Sequence, residues 1–203
     1  MKKKLVVLVL SIAIAAFFFA CISTTVKQDS NSEEKNPSNF INMILDSYSE
    51  RAFKEGAVPD DMIETILKCA QKAPSAGNGQ PWHFTVITNN EVVRQTAPRH
   101  YVEGAAVIVI SGKPNERTGV NIAFDTALAS QNIYLAAQAL GLGVRPYYSG
   151  VQNINDNQKR VLGIPDDYIA QIIMLIGFKA DDVDVVTSAS VRNSFENNVN
   201  FVK

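Results

Sequence analysis

The chain has 203 residues, 46% of them hydrophobic and 19% charged, with 19 Lys and Arg against 20 Asp and Glu. That length fits one domain or two small ones, and the hydrophobic share excludes a wholly disordered chain. A formal net charge of −1 leaves no general electrostatic reason to bind nucleic acid.

The charge is unevenly spread. Lys2, Lys3 and Lys4 precede an apolar run from Leu5 to Ala20 that only Ser11 interrupts. This is the pattern of a signal peptide over residues 1–20, and it is shorter than the roughly 20 residues of a membrane-spanning helix. The junction Phe18-Phe19-Ala20-Cys21 resembles a bacterial lipoprotein signal, in which Cys21 would carry the lipid and become the new N-terminus. The expectation is a protein of the cell envelope, outside the cytoplasm, held to a membrane by its lipid; an uncleaved anchor and a simply secreted protein are the alternatives. Cleavage would remove three lysines and leave 16 basic against 20 acidic groups, a net −4. Cys69 would then be the sole thiol, and its place in a helical pattern predicts a buried, inert one. Residues 22–37 are mostly polar and read as a flexible tether. The folded domain is expected over residues 38–203.

Within it, a first helix is expected from Phe40 to about Tyr48, capped by Ser38 or Asn39. Met62, Ile63, Ile66, Leu67 and Ala70 recur at helical spacing, and Asp61 with Glu64 has the spacing of a capping box. That second helix should stop before Pro74. His83–Thr88, Ala105–Ile110 and Gln171–Ile176 read as strands, the last nearly continuous in apolar residues. Val144–Ser149 is a weaker strand, interrupted by Pro146. Asn121–Leu140 is the longest helical pattern, with Asp125 as its only charge and many alanines. A helix without a charged face is buried, either in the core or at a subunit interface. Helix and strand patterns do not alternate regularly, so the fold class is α+β, with helices on a mostly antiparallel sheet.

Several kinds of chemistry are excluded by spacing. His83 and His100 are the only histidines, and neither has a metal-ligand partner nearby in sequence. There is no G-x-S-x-G elbow and no P-loop. Gly141-Leu142-Gly143 lacks the third glycine of a dinucleotide fingerprint. What remains is the loop Ala73-Pro74-Ser75-Ala76-Gly77-Asn78-Gly79-Gln80-Pro81-Trp82. Its amides, hydroxyl and backbone N–H groups suit the rim of a heteroaromatic ring. They suit a plain helix-to-strand turn equally well.

The run APSAGNGQPWHF resembles the signature loop of the nitroreductase family of flavoproteins. Ser49-Glu50-Arg51-Ala52-Phe53 resembles that family's N-terminal arginine–serine block. Asp125–Asn132, leading to Ala136–Gly143, resembles its central helix and following turn. Arg192 with Phe195-Glu196 resembles its closing basic motif. The resemblance covers about residues 40–200.

It implies a nitroreductase-like three-layer α-β-α sandwich and a homodimer binding FMN between its subunits. It also implies a ping-pong cycle in which NAD(P)H and then a nitroaromatic, quinone or similar acceptor use one site. Ser49 and Arg51 would contact the phosphate and ribityl end. Pro74, Ser75 and Asn78 would line the flavin, and the backbone at Tyr148, Ser149 and Gly150 would lie near N5. Arg192 would close over the phosphate. No metal and no catalytic acid or base is implied, because the cofactor carries the chemistry. This chain departs from the pattern where Ser47 and Tyr48 replace family arginines, and Ser190 and Val191 offer no second C-terminal basic group. Arg145 could compensate or could be a surface charge. The segment between Ile110 and Asn121 is short, as in the compact branch of the family. Two other readings stay open: a flavin-binding lipoprotein without enzymatic activity, and a degenerate dimeric module.

Overall fold

Among the described residues five strands pair antiparallel, around one long central strand. The structure, a computed structural model, describes residues 37–114, 116–181 and 191–203. The apolar leader, Cys21, the tether as far as Asn36 and the Ser190 position lie outside the described residues. Asn39–Lys203 pack as one compact unit.

Strand β5 (Ile169–Lys179) has β3 (Ala106–Gly112) on one edge and β4 (Leu142–Tyr147) on the other, since residues 173–176 pair with both. β2 (Trp82–Ile87) lies beyond β3, and the two-residue β1 (Phe53–Lys54) pairs with Phe178 and Lys179. All seven residues of β3 are buried, and the β-branched run Val107–Ile110 at its centre suits a strand covered on both faces. β5 is longer than the sequence pattern implied because its ends pair with β1, β4 and the end of β3. β4 tolerates Pro146 because it is an edge strand with no ladder bond needed on its outer side.

Helices cover both faces. On one face α2 (Asp60–Ala70) and α4 (Ile122–Ala139) bury Ile66, Ile133 and Ala137 against Ile108, Ile110, Val144 and Ile176. On the other, α3 (Asn90–Thr96) and the segment after Gly150 bury Val93, Val151, Ile154 and Ile164 against Val107, Val109, Ile173 and Leu175. That segment comprises α5 (Val151–Asn153) and a wider π-helical turn (Ile154–Gln158). Each fully buried isoleucine contributes about 1.5–3 kcal/mol by leaving water. The result is the expected α+β sandwich of three layers. Two peripheral helices complete the chain, α1 (Pro37–Asp46) and α6 (Phe195–Asn198).

Some local expectations are corrected. α2 starts two residues early, with Pro59 at its N-cap and no side-chain cap bond. Asp61 is therefore already inside the first turn and no capping box forms; Glu64 instead pairs with Lys68 at 2.7 Å. Cys69 has a free thiol but is half-buried rather than buried. α3 has too short an apolar pattern to stand out in sequence, yet Asn89 caps it by accepting from the Val92 amide. α4 is capped likewise, Asn121 accepting from Ala123 N–H at 2.9 Å. It approaches the sheet closely at Gly112, where a Cβ would lie 2.9 Å from Thr126 Cγ2.

α4 is buried on one side only. Its outer face carries Phe124, 59% exposed, and small uncharged residues. Phe40, Ile41 and Leu45 on α1 are exposed too, as are Phe195, Phe201 and Val202 near the C-terminus. Among the described residues no helix is long and apolar enough to cross a membrane.

Candidate functional site

The loop between α2 and β2 is held by its own polar groups. Ser75 Oγ accepts from the Gln80 amide at 3.0 Å. Ala76–Asn78 form a single 3-10 turn, and Gly77, Asn78 and Gln80 all have φ near +50°. Asparagine and glycine tolerate that left-handed geometry best, which accounts for the composition of the loop. Pro74 and Asn78 are exposed and Ser75 is half-buried.

Asp125 anchors this loop. It is 1% exposed, and its Oδ1 accepts from Ala76 N–H at 2.9 Å. Its position in the first turn of α4 places the carboxylate where the helix dipole favours negative charge. Asp125 Oδ2 is buried without a partner. Arg117 also donates to the Gly77 carbonyl. The sequence marked Asp125 as the lone charge of α4, but only the fold shows what that charge holds.

The second cluster surrounds residues 47–52. Glu50 is fully buried. Its Oε2 accepts from the Tyr48 hydroxyl at 2.8 Å, and its Oε1 accepts from the amides of Arg51 and Ala52 at 2.9 and 3.1 Å. One carboxylate thus folds the turn that carries Ser49 and Arg51. Burial, followed by the Glu50 hydrogen bond, pushes the Tyr48 hydroxyl up to about 12. The turn is tied to the sheet by Glu50 N–H donating to the Val144 carbonyl at 3.0 Å. It is tied to α4 by Gln138 Nε2 donating to the Tyr48 carbonyl at 3.0 Å. Arg145 Nη1 donates to the Glu50 carbonyl at 3.2 Å. Gly143 is required here, since a Cβ would lie 2.7 Å from Glu50 Cγ. Arg192 is exposed and acts electrostatically on Tyr134, whose hydroxyl lies beside Ser47 and Gln138; burial raises that hydroxyl nonetheless.

The third cluster lies past the end of β4. Tyr148, Ser149 and Gly150 are exposed, and Gly150 has φ +99°, a geometry that suits glycine. Ser149 and Gly150 border a cleft of about 240 Å³ that also involves Thr96, Arg99, Tyr147 and Gln158. Thr96 Oγ1 and Gln158 Oε1 are buried there without hydrogen-bond partners. Burial also pushes the Tyr147 hydroxyl up. None of Thr96, Arg99 and Gln158 was marked by sequence, because each comes from an element whose place only the fold sets.

The signature loop lies apart from the 47–52 turn. The loop is anchored at Asp125, the 47–52 turn at Gln138, and those positions are about 20 Å apart along α4 at 1.5 Å per residue. Within one chain Ser49, Arg51, Arg192 and the Ser149–Gly150 cleft lie toward the β4 side. Pro74, Ser75 and Asn78 lie by β2, on the opposite edge of the sheet. Among the described residues no group of His, Cys, Asp and Glu could hold a metal ion.

A mostly antiparallel sheet between two helical layers, with a glycine- and asparagine-rich loop entering β2, defines an α-β-α sandwich class. The sequence model of the nitroreductase family matches residues 44–106 and 99–178, and the chain belongs to that family. It is 32% identical over 154 residues to an Archaeoglobus fulgidus protein provisionally named NADH dehydrogenase/NAD(P)H nitroreductase, covering 71% of this chain and 87% of the relative. It is 25% identical over 167 residues to an FMN reductase (NADPH) of Bacillus subtilis, covering 70% and 67%. The fold also matches a Bacteroides fragilis nitroreductase with bound FMN, at a TM-score of 0.64 and 21% identity, covering 81% and 98%.

Proposed function

We propose that this chain is an FMN-dependent NAD(P)H oxidoreductase of nitroreductase type. It works as a homodimer by a ping-pong cycle on a nitroaromatic, quinone or similar acceptor. The observation that carries the reading is the family match across residues 44–178, which includes the signature loop, the 47–52 turn and the Ser149–Gly150 cleft.

The residues fit the cofactor. The unpartnered Gln158 Oε1 can accept and Thr96 Oγ1 can donate or accept, matching a ring edge with both N–H and carbonyl groups. FMN, when bound, would supply the two-electron redox chemistry that links NAD(P)H to the acceptor. The chain's part is binding and orientation. Ser49, Arg51 and Arg192 hold the phosphate end, and the backbone at Tyr148, Ser149 and Gly150 supports the ring. Pro74, Ser75 and Asn78 of the second subunit complete the site. Two features support that division: the 20 Å separation of the clusters, and the exposed apolar residues Phe40, Ile41, Leu45 and Phe124, which a second copy would cover. The apolar leader and Cys21 support an enzyme of the cell envelope held on a lipid anchor.

The test is spectroscopic. The full chain, purified in detergent, is expected to be yellow or to take up FMN stoichiometrically, and to bleach on addition of NADH or NADPH. A colourless protein that ignores saturating FMN would refute the proposal. Flavin uptake with no bleaching by either nucleotide would leave a flavin carrier instead of this enzyme.

A further inference from the structure

Arg145, beside the 47–52 turn, has a buried donor left unsatisfied among the described residues. It is half-buried on β4, and the strand's two-residue period puts it on the same face as Tyr147. Its guanidinium lies 5.4 Å from the centre of the Tyr147 ring. Nη1 donates to the Glu50 carbonyl at 3.2 Å, but Nε is buried without a partner. No ion pair to Arg145 occurs among the described residues. The adjacent carboxylate, Glu50, is already occupied by the Tyr48 hydroxyl and two backbone amides. A carbonyl and a phenol ring stabilise the cation, yet neither neutralises it. A partly desolvated guanidinium with an unmet donor and no counter-charge is a receptor for an anion.

We infer that Arg145 is a phosphate-binding residue of this protein, holding the phosphate monoester of the flavin from strand β4 beside Ser49 and Arg51. This rests on the flavin reading above. The location suits an extended phosphate ester. From Arg145 to Tyr147 the strand runs about 7 Å, leading from the 47–52 turn to Tyr147, which borders the cleft at Ser149–Gly150. The inference also gives a physical sense to Ser47 and Tyr48. They bring no positive charge to the turn, and Arg145 supplies it from the neighbouring strand instead. Glu50 then serves twice: its carboxylate shapes the turn, and its carbonyl fixes the guanidinium.

The experiment compares ligands with and without the phosphate. The full chain in detergent, freed of flavin, is titrated with FMN and with riboflavin by flavin fluorescence, and with inorganic phosphate by phosphorus-31 line broadening. The wild type is expected to prefer FMN over riboflavin. Arg145→Gln is expected to weaken FMN about ten- to hundredfold, the size of a charge-assisted hydrogen bond, and to leave riboflavin within about twofold. Arg145→Lys should recover part of the loss, since it keeps the charge without the planar donor set. If Arg145→Gln fails to fold, the Lys variant must still lower the FMN-to-riboflavin ratio. An unchanged ratio in the folded variants overturns the inference while leaving the enzyme reading intact. If the wild type takes no flavin, the enzyme reading falls. Phosphate broadening that disappears in Arg145→Gln would then keep Arg145 as an anion site, and broadening that persists would overturn it.

Discussion

Replacing Tyr48 by Phe removes one hydroxyl and tests whether the buried Glu50 organises the 47–52 turn. Tyr48 is 8% exposed and Glu50 is fully buried. Their 2.8 Å hydrogen bond ends on a carboxylate. Hydrogen bonds to charged groups are worth about 1.5–3 kcal/mol, and the partner left behind cannot reach water. For a domain of this size, 1 kcal/mol shifts the melting temperature by about 2–4 °C, so a fall of about 3–12 °C is expected at pH 7. The pH dependence supplies the control. The Tyr48 hydroxyl is pushed up to about 12, whereas in the unfolded chain it titrates near 10. Between those values the unfolded chain has already lost the proton that the folded chain keeps. Stability from this group is therefore complete below pH 10 and lost as pH rises to 12. A shift of about two units corresponds to about 2–3 kcal/mol. The gap between wild type and Tyr48→Phe, measured by urea denaturation, should close across that range. A variant within about 0.5 kcal/mol of wild type at pH 7, or a gap that does not narrow toward pH 12, would refute the reasoning.

Gly143→Ala would place a Cβ against Glu50 Cγ and Phe53 Cε1; overpacking should cost about 1–3 kcal/mol in chemical denaturation. Asp125→Ala removes the acceptor for the Ala76 amide; amide hydrogen exchange should accelerate in residues 75–80 while β3 stays protected. Asn121→Ala deletes the cap of α4 and is expected to cost about 1 kcal/mol, read from the denaturation midpoint. Leu45→Glu puts a charge on the exposed apolar face of α1, where Leu45 is 74% exposed. If that face is covered by a second copy, sedimentation should show the dimer weakened with the monomer still folded.

The strands were legible because their apolar, β-branched runs are strong local signals, while their edges moved both ways: pairing extended β5 to Ile169 and Lys179, whereas β4 ends at Tyr147 instead of Ser149. α4 was legible from its length, and Asn121 marked its start to within a residue. The short helix α3 and strand β1 were not, since seven and two residues are too few to establish a period. The capping box failed because Asp61 and Glu64 have the right spacing, while Pro59 sets where the helix begins.

The candidate site divides in the same way. Ser75, Gly77 and Asn78 declare their loop in sequence, because left-handed backbone geometry restricts which residues can occupy it. Ser49 and Arg51 stand out only as part of an ordered pattern. Glu50, between them, looks like an ordinary solvated acid and is fully buried; nothing within its own segment indicates that it would be. Asp125 looks like a stray charge and holds a loop 49 residues away. Arg145 could be a surface charge until β4 sets it against the Glu50 carbonyl. Local backbone geometry and hydrophobic period are written along the chain, so the sequence by itself determined the layers, the signature loop and the family. Which carboxylate is buried, which cation lacks a counter-charge and how far apart the clusters lie depend on contacts between distant segments. Only the tertiary structure decided those.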